Sequence, residues 1–262
     1  AKYLYIIYFA LTVIEVIFLL FGGMNLFEAL TTAFGTAGTG GFAIWNDGFV
    51  SVSPYNQWVV TIFMLLFGVN FGFYFLILTG KLRDALKFEE VRIYFIIVIA
   101  SAVFIFINLW HFALYAPAEG IRHAFFQVAS IITTTGFASA NFDLWPETSR
   151  TILVILMFIG ACAGSTGGGI KVSRFVIAVK TVGKELESYL HPKSVRKIKM
   201  DGKPVEHEVV RSVNVYFITF LIIFTFSVFI LSFEGKSAET NFTAVIATLN
   251  NIGPGLGEVG PM

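Results

Sequence analysis

The chain has 262 residues, of which 56% are hydrophobic, 16% aromatic and only 13% charged, and its mean hydropathy is +0.78. A soluble domain of this length does not need so much apolar surface, so the composition excludes an ordinary globular enzyme and predicts a membrane protein. The net charge of +1 gives no support for a nucleic-acid partner, and we expect the lipid bilayer to be the partner of the apolar surface.

Five stretches are long enough to cross a hydrocarbon core about 30 Å thick, which takes about 20 helical residues. They cover residues 3–22, 58–79, 92–115, 151–180 and 212–233. If each crosses once and each shorter apolar piece dips in and returns, fifteen of the eighteen Lys and Arg residues lie on one side. Because short cytoplasmic loops are enriched in Lys and Arg, this side is predicted to be cytoplasmic.

A unit of span, short helix, glycine turn and span recurs along the chain. Residues 1–80 form one such pore repeat, and residues 91–181 form a second in which the closing span is broken. A cytoplasmic linker at 182–208 leads to a partial repeat at 209–262, which lacks its closing span. The fold class is therefore an all-α integral membrane protein. The turns that align between repeats are Thr39-Gly40-Gly41, Thr134-Thr135-Gly136 and Asn251-Ile252-Gly253.

The segments before these turns, at 26–34, 120–132 and 237–249, are too short to span and begin near Glu28, Glu119 and Glu239. Acidic residues complement the positive end of a helix, so the negative ends are predicted to point towards the middle of the membrane. Glycine permits the dihedral angles that point successive carbonyls one way, as a cation filter requires. The nine turn residues are candidate filter ligands, and tight turns between packed helices are the alternative.

The fourth span contains a glycine-rich run, and each glycine costs about 1 kcal/mol in a helix relative to alanine. We expect the chain to open there and to form a gate that blocks the cytoplasmic half of the pathway. The candidate gate residues are Gly160, Gly164, Ser165, Thr166, Gly167, Gly168, Gly169 and Lys171.

Three alternatives apply to this run. Gly160 and Gly164 fit the small-xxx-small pattern of helix packing. A phosphate-binding loop would need Ser or Thr directly after Gly-Lys, and Ile170-Lys171-Val172 interrupts that motif. Cys162 as the nucleophile of an intramembrane enzyme would need a histidine nearby, and none is predicted there. We therefore expect no enzymatic activity.

Two polar residues lie within predicted spans, Glu15 in the first and Asn70 in the second. Ionisable residues inside a membrane are costly and often functional. Glu15 is either a cation relay or, as we favour, a structural partner of a neighbouring segment.

The motifs together resemble the TrkH/TrkG/KtrB superfamily of bacterial potassium transporters, with the TrkH branch favoured. The resemblance rests on the run 131–137, the run 160–171, His191-Pro192, and the run 250–255. It implies four repeats around a pseudo-fourfold pore, with filter glycines at Gly41, Gly136 and Gly253. This chain would then supply repeats two to four, without the first repeat and the last span.

The resemblance also implies K⁺ uptake across the bacterial inner membrane, with K⁺ bound at the filter residues and no covalent cofactor. It further implies a homodimer on a cytoplasmic nucleotide-binding regulatory ring of the TrkA or KtrA type. The basic linker is either the docking surface for that ring or a solvated loop. A secondary carrier with broken helices and a structural membrane subunit are the other functional hypotheses, and repeats in one orientation favour the pore over an inverted-repeat carrier.

Overall fold

The computed structural model describes residues 2–191 and 197–261, so Pro192 of the His191-Pro192 pair lies outside the described residues. Helices form nearly all of the regular structure in this part of the chain, which confirms the predicted all-α class. They are α1 Lys2–Phe21, α2 Leu26–Ala37, α3 Pro54–Phe67, α4 Phe71–Leu78, α5 Leu82–Ala85, α6 Glu89–His111, α7 Pro117–Ile132, α8 Glu147–Phe158, α9 Val172–Leu190, α10 His207–Leu231 and α11 Ala238–Leu249.

A small antiparallel hairpin interrupts the helices between α9 and α10. Its strands are β1 Lys199–Met200 and β2 Lys203–Pro204, with Lys199 opposite Pro204. Three 3₁₀ turns lie at Phe142–Leu144, Ser232–Glu234 and Gly257–Val259.

Within residues 2–191 and 197–261, three helices are long and apolar enough to cross a membrane on their own. They cover Tyr3–Phe21, Glu89–His111 and His207–Glu234, with mean hydropathies of 2.5, 2.5 and 2.4. These agree with the first, third and fifth predicted spans. Much of their surface is exposed apolar side chain, which lipid covers at no cost.

The second predicted span is wrong as a continuous helix, because α3 and α4 are bent by 88° across a short break. A Cβ at Gly68 would overlap the Tyr94 hydroxyl oxygen, so the backbone is packed tightly against α6 at the bend. Directly after it, Asn70 Oδ1 accepts a hydrogen bond from the Gly72 N–H at 2.7 Å and caps α4. An N-cap side chain starts a new helix and so fixes the break.

The fourth predicted span is broken, as the sequence predicts. Helix α8 ends at Phe158 and α9 begins at Val172. The glycine-rich residues between them are not helical, and residues 159–171 are called the intramembrane loop below. Helix α9 continues to Leu190, ten residues beyond the predicted end of the span at 180.

Each short helix begins with an acidic first turn, as predicted: Glu28 in α2, Glu119 in α7 and Glu239 in α11. In α2 this is a capping box. The Glu28 N–H donates to Asn25 Oδ1 at 2.9 Å, and the Asn25 N–H donates to Glu28 Oε2 at 3.0 Å. Such reciprocal bonds satisfy two donors that a helix start leaves free.

Helix α7 lies at the centre of the packing and joins two hydrophobic clusters. Phe126 and Ala129 pack with the residues of α1 to α4. Val128 and Ile131, on another face of the same helix, pack with α6, α8 and α11. The turn that follows α7 is therefore held between these two clusters.

Candidate functional site: three glycine turns and an intramembrane loop

The three aligned turns share one backbone pattern. In each of them the first and third residues have positive φ, whereas the middle residue does not. The values of φ are +50° and +67° at Thr39 and Gly41, +59° and +87° at Thr134 and Gly136, and +57° and +110° at Asn251 and Gly253. Alternating left-handed residues point neighbouring peptide groups in a common direction, which is the geometry that lines a narrow cation passage with carbonyls.

The third residues of the three turns converge. An ideal Cβ on Gly41 would lie 3.0 Å from Gly136 Cα, and one on Gly253 would lie 4.0 Å from the same atom. A Cβ on Gly136 would overlap the Ile252 carbonyl oxygen. The turns are thus neighbouring parts of one arc, with Gly136 between the other two glycines.

Each turn directly follows the end of a short helix. Helix α2 ends at Ala37, α7 at Ile132 and α11 at Leu249. The carboxyl end of a helix carries a partial negative charge, equivalent to roughly half an elementary charge. Three such ends therefore bring partial negative charge to one side of the arc of turns.

Gly40, a predicted filter residue, does not share the glycine requirement. Its φ is not positive, and the nearest atom to an added Cβ is Phe42 Cδ2 at 3.7 Å, an ordinary contact. The Cβ of an alanine would therefore fit at this position. In the first turn, the backbone conformation and the packing therefore require glycine at Gly41 but not at Gly40.

The threonine hydroxyls of the second turn hold the backbone in place. Thr133 Oγ1 donates to the Ala129 carbonyl at 2.7 Å and lies 2.8 Å from Thr135 Oγ1. Ser130 Oγ donates to the Phe137 carbonyl at 2.6 Å and ties α7 to the far side of the turn. Ser130 was not singled out from the sequence, although it lies one helical turn before the threonines.

The intramembrane loop lies against the beginnings of all three turns. The Gly168 N–H donates to Thr134 Oγ1 at 2.6 Å, and Thr39 Oγ1 donates to the Thr166 carbonyl at 3.4 Å. In the third turn, a Cβ on Gly168 would lie 2.9 Å from the Asn250 carbonyl oxygen. The predicted gate residues are therefore in contact with the predicted filter residues.

The loop closes on itself at its base. The Gly160 N–H donates to the Ile170 carbonyl at 2.7 Å, and the Val172 N–H donates to the Ala161 carbonyl at 3.2 Å. Lys171 Nζ donates to the carbonyl of Gly167 and, at 3.3 Å, to that of Gly168. The lysine ammonium is thus bound to carbonyls inside the loop.

The remaining gate candidates fix the tip of the loop. Ser165 Oγ donates to the Cys162 carbonyl at 2.6 Å. Gly164 and Gly169 have φ of +68° and +65°. The Phe71 N–H donates to the Gly164 carbonyl at 3.1 Å, so the loop also holds the start of α4 at the 88° bend.

Sequence reasoning missed Glu90, which joins the first half of the loop to the start of α9. Its side chain is buried, and Oε1 accepts hydrogen bonds from the Ala163 N–H at 2.7 Å and the Ser173 N–H at 2.9 Å. The only signal in the sequence is an acidic pair, Glu89 and Glu90, at the start of α6.

Glu15 and Cys162 are buried residues that are not part of the three turns. Glu15 is buried, and among the described residues its carboxylate oxygens have no hydrogen-bond partner. The nearby Thr36 hydroxyl already donates to the Thr32 carbonyl. Cys162 is buried, its N–H donates to the Gly68 carbonyl at 3.0 Å, and no cluster of possible metal ligands occurs within residues 2–191 and 197–261.

An ion-pair cluster joins the start of α8 to the start of α11 at the side predicted to be external. Arg150 contacts Asp143 at 3.1 Å and Glu147 at 2.7 Å, and it also contacts Glu239 at the start of α11. Near it, the Lys236 ammonium lies 2.5 Å from Glu258, and this hydrogen bond raises the pKa of Lys236.

The family model and the individual relatives that match this chain all belong to Trk-type cation transport systems. Residues 1–261 match the family model TrkH, described as a cation transport protein. The chain is 35% identical to the Trk system potassium uptake protein TrkH of Escherichia coli K12, over 99% of this chain and 54% of that protein. It is 29% identical to TrkG of the same organism, over 98% of this chain and 53% of that protein.

The structure agrees with the sequence comparison. The crystal structure of the potassium transporter TrkH from Vibrio parahaemolyticus matches with a TM-score of 0.91 at 33% identity, over 98% of this chain and 56% of that one. The chain thus spans about half the length of these relatives. Their names are those of transporters, and none is named as an enzyme. With its membrane-spanning helices and this match across its whole length, the chain is a multi-pass membrane protein that belongs to the TrkH family of cation transport proteins.

Proposed function

We propose that the complete protein takes up K⁺ across the bacterial inner membrane through a filter to which the three glycine turns contribute. The convergence of Gly41, Gly136 and Gly253, each at positive φ, is the observation that carries this proposal. Relatives named as potassium uptake proteins support the choice of K⁺ as the transported ion.

The filter would be completed by protein outside this chain. In this proposal residues 1–80, 91–181 and 209–262 are three repeats of a pseudo-fourfold pore, and the linker 182–208 joins the second to the third. The carbonyls of the turn residues bind K⁺, and the cation itself is the only cofactor required. A filter of this kind replaces the hydration shell of the ion with backbone oxygens.

The intramembrane loop acts as the gate in this mechanism. It lies against Thr39, Thr134 and Asn250, the residues at or just before the start of each turn. A loop in this position occupies the route from the filter to the cytoplasmic side, so K⁺ passes only when it moves aside. The backbone hydrogen bonds at the base of the loop and the Lys171 contacts hold the blocking conformation.

We further propose that the complete protein is a homodimer on a cytoplasmic nucleotide-binding ring. The basic stretch 180–211, which carries eight Lys and Arg residues against five Asp and Glu residues, supports an acidic or polar protein surface as the partner. Displacement of α9, which begins three residues after Gly169, would move the loop directly.

The test is growth of a bacterium that lacks its own K⁺ uptake systems, in medium of low K⁺, with the full-length protein supplied. We expect the wild type to restore growth and Gly136→Ser to lose selectivity for K⁺ over Na⁺. Gly40→Ala is the matched control and should restore growth as the wild type does, because a Cβ fits there.

Shortening the loop by residues 164–168 tests the gate separately. Removal of these residues should raise Rb⁺ flux in the full-length protein. Unchanged flux would contradict the gate, whereas failure of the wild type to restore growth would contradict K⁺ uptake. Uptake that follows a co-transported solute would instead favour a cation-coupled carrier, to which the broken helices α3–α4 and α8–α9 would also be suited.

A further inference from the structure

We propose that Glu90 is the latch of the gate: a positioning residue whose single carboxylate ties the first half of the intramembrane loop, at Ala163, to the start of α9, at Ser173, in the blocking conformation. This inference rests on the proposed function of the loop. It concerns a residue that does not touch the arc of turns, and it acts on the pathway only through the loop.

One oxygen atom makes both contacts. Glu90 Oε1 accepts from the Ala163 N–H at 2.7 Å, within the first half of the loop, and from the Ser173 N–H at 2.9 Å, in the first turn of α9. The two donors are ten residues apart in the chain, and Glu90 precedes them by 73 and 83 residues. The carboxylate therefore fixes the position of the first half of the loop relative to the start of α9, from a different helix.

The site is built to hold a carboxylate. Glu90 is only 3% exposed and lies in the first turn of α6, where the helix dipole favours negative charge. Ser173 is in the first turn of α9, so Glu90 also faces the positive end of a second helix. The side chains of Ser173 and Asn70 lie beside the same carboxylate.

The neighbouring contacts make the latch specific to the loop. Directly before Ala163, the Cys162 N–H donates to the Gly68 carbonyl at 3.0 Å, and directly after it Gly164 accepts from the Phe71 N–H at 3.1 Å. Asn70 lies in the break between α3 and α4, and its side chain lies beside the Glu90 carboxylate. The 88° bend and the loop are thus joined around the Glu90 carboxylate.

Loss of this carboxylate leaves the two partly buried N–H groups of Ala163 and Ser173 without their acceptor, so the chain around them must move to satisfy them. Charge-assisted hydrogen bonds are stronger than neutral ones. A purely structural cap would fray the start of α9 and leave the first half of the loop in place. A latch releases Ala163 and Ser173 together, which exposes the residues beside Ala163 as well.

Cys162 reports this release, because it is fully buried beside Ala163. The experiment uses the full-length protein with any other cysteines replaced by serine, reconstituted in proteoliposomes. The rate of Cys162 modification by a small cytoplasmic-side thiol reagent is measured together with Rb⁺ flux. For Glu90→Ala we expect both to rise about tenfold or more, since a charged hydrogen bond contributes more than one decade in equilibrium.

Glu89→Gln is the matched control. Glu89 lies in the same turn of α6 but pairs with Lys180 at 2.6 Å and not with the loop. It should leave both rates unchanged. Glu90→Gln keeps an oxygen acceptor without the charge. Its Cys162 modification rate and its Rb⁺ flux should lie between those of Glu90→Ala and those of the wild type.

Equal modification rates in Glu90→Ala and the wild type would overturn the latch, even if the start of α9 is destabilised. If Glu90→Ala does not accumulate in the membrane, amide hydrogen exchange of the wild-type protein tests the latch instead. The Ala163 and Ser173 amides should then exchange slowly and with one common opening rate, and independent exchange would overturn the proposal. A wild type that transports no Rb⁺ contradicts the proposed function, whereas transport without an effect at Cys162 contradicts only the latch.

Discussion

Substitution of Gly136 by alanine tests the role of the central turn. Gly136 has φ of +87°, and an added Cβ would overlap the Ile252 carbonyl oxygen of the next turn. The left-handed conformation alone costs a residue with a Cβ about 1–2 kcal/mol. The overlap with a backbone atom adds to this, because a carbonyl in a packed turn cannot rotate away as a flexible side chain can.

A total of about 2 kcal/mol, applied to the carbonyls that would coordinate the ion, corresponds to roughly thirtyfold in an equilibrium constant. We therefore expect Gly136→Ala in the full-length protein to reduce the ratio of Rb⁺ to Na⁺ flux by up to about thirtyfold. Isotope flux into proteoliposomes measures this ratio.

Gly40→Ala is the comparison, because the nearest atom to a Cβ there is 3.7 Å away and φ is not positive. It should keep the wild-type flux ratio within about twofold, since it introduces neither backbone strain nor a close contact. The reasoning is refuted if both substitutions change selectivity equally, or if Gly136→Ala leaves it unchanged while the protein remains folded.

Three further outcomes follow from particular contacts. Arg150→Met should destabilise the full-length protein by about 2 kcal/mol, because it leaves Asp143 and Glu239 without their shared partner. Denaturation of the detergent-solubilised protein measures this loss of stability, and an unchanged midpoint would contradict it. Glu15→Gln should not lower the thermal midpoint, because no described group donates to that buried carboxylate, and a large fall would reveal a cation partner. Lys171→Met removes the ammonium from the two loop carbonyls, so Rb⁺ flux should rise, whereas lower flux would assign the lysine a role in conduction.

The features that the sequence predicts well are those determined by local chemistry. Acidic first turns mark the starts of α2, α7 and α11, and glycine marks the positive-φ residue that ends each turn. The break between α8 and α9 follows from the low helix propensity of the glycine run. Each of these signals lies within a few residues of the feature it predicts.

The features that it does not predict depend on distant contacts. The bend after α3 requires Tyr94 on α6 and a carbonyl at Gly164, neither of which is near Gly68 in the chain. Residues 58–79 are apolar enough to be continuous, and this packing divides them together with the Asn70 cap of α4.

Glu90 is a second example of the same limit. In the sequence it is an ordinary acidic residue at the start of a helix, and its two partners lie more than seventy residues away. Gly40 shows the converse, because its glycine neighbours suggest a special conformation that the structure does not require there.

The most direct test of the filter is the position of a bound ion. Crystals of the full-length protein grown in Rb⁺ should show anomalous scattering next to the carbonyls of Thr134 and Thr135 and of their counterparts in the other turns, and replacement of Rb⁺ by Na⁺ should remove it. Rb⁺ bound elsewhere along the pathway, with none at the arc formed by Gly41, Gly136 and Gly253, would contradict the account.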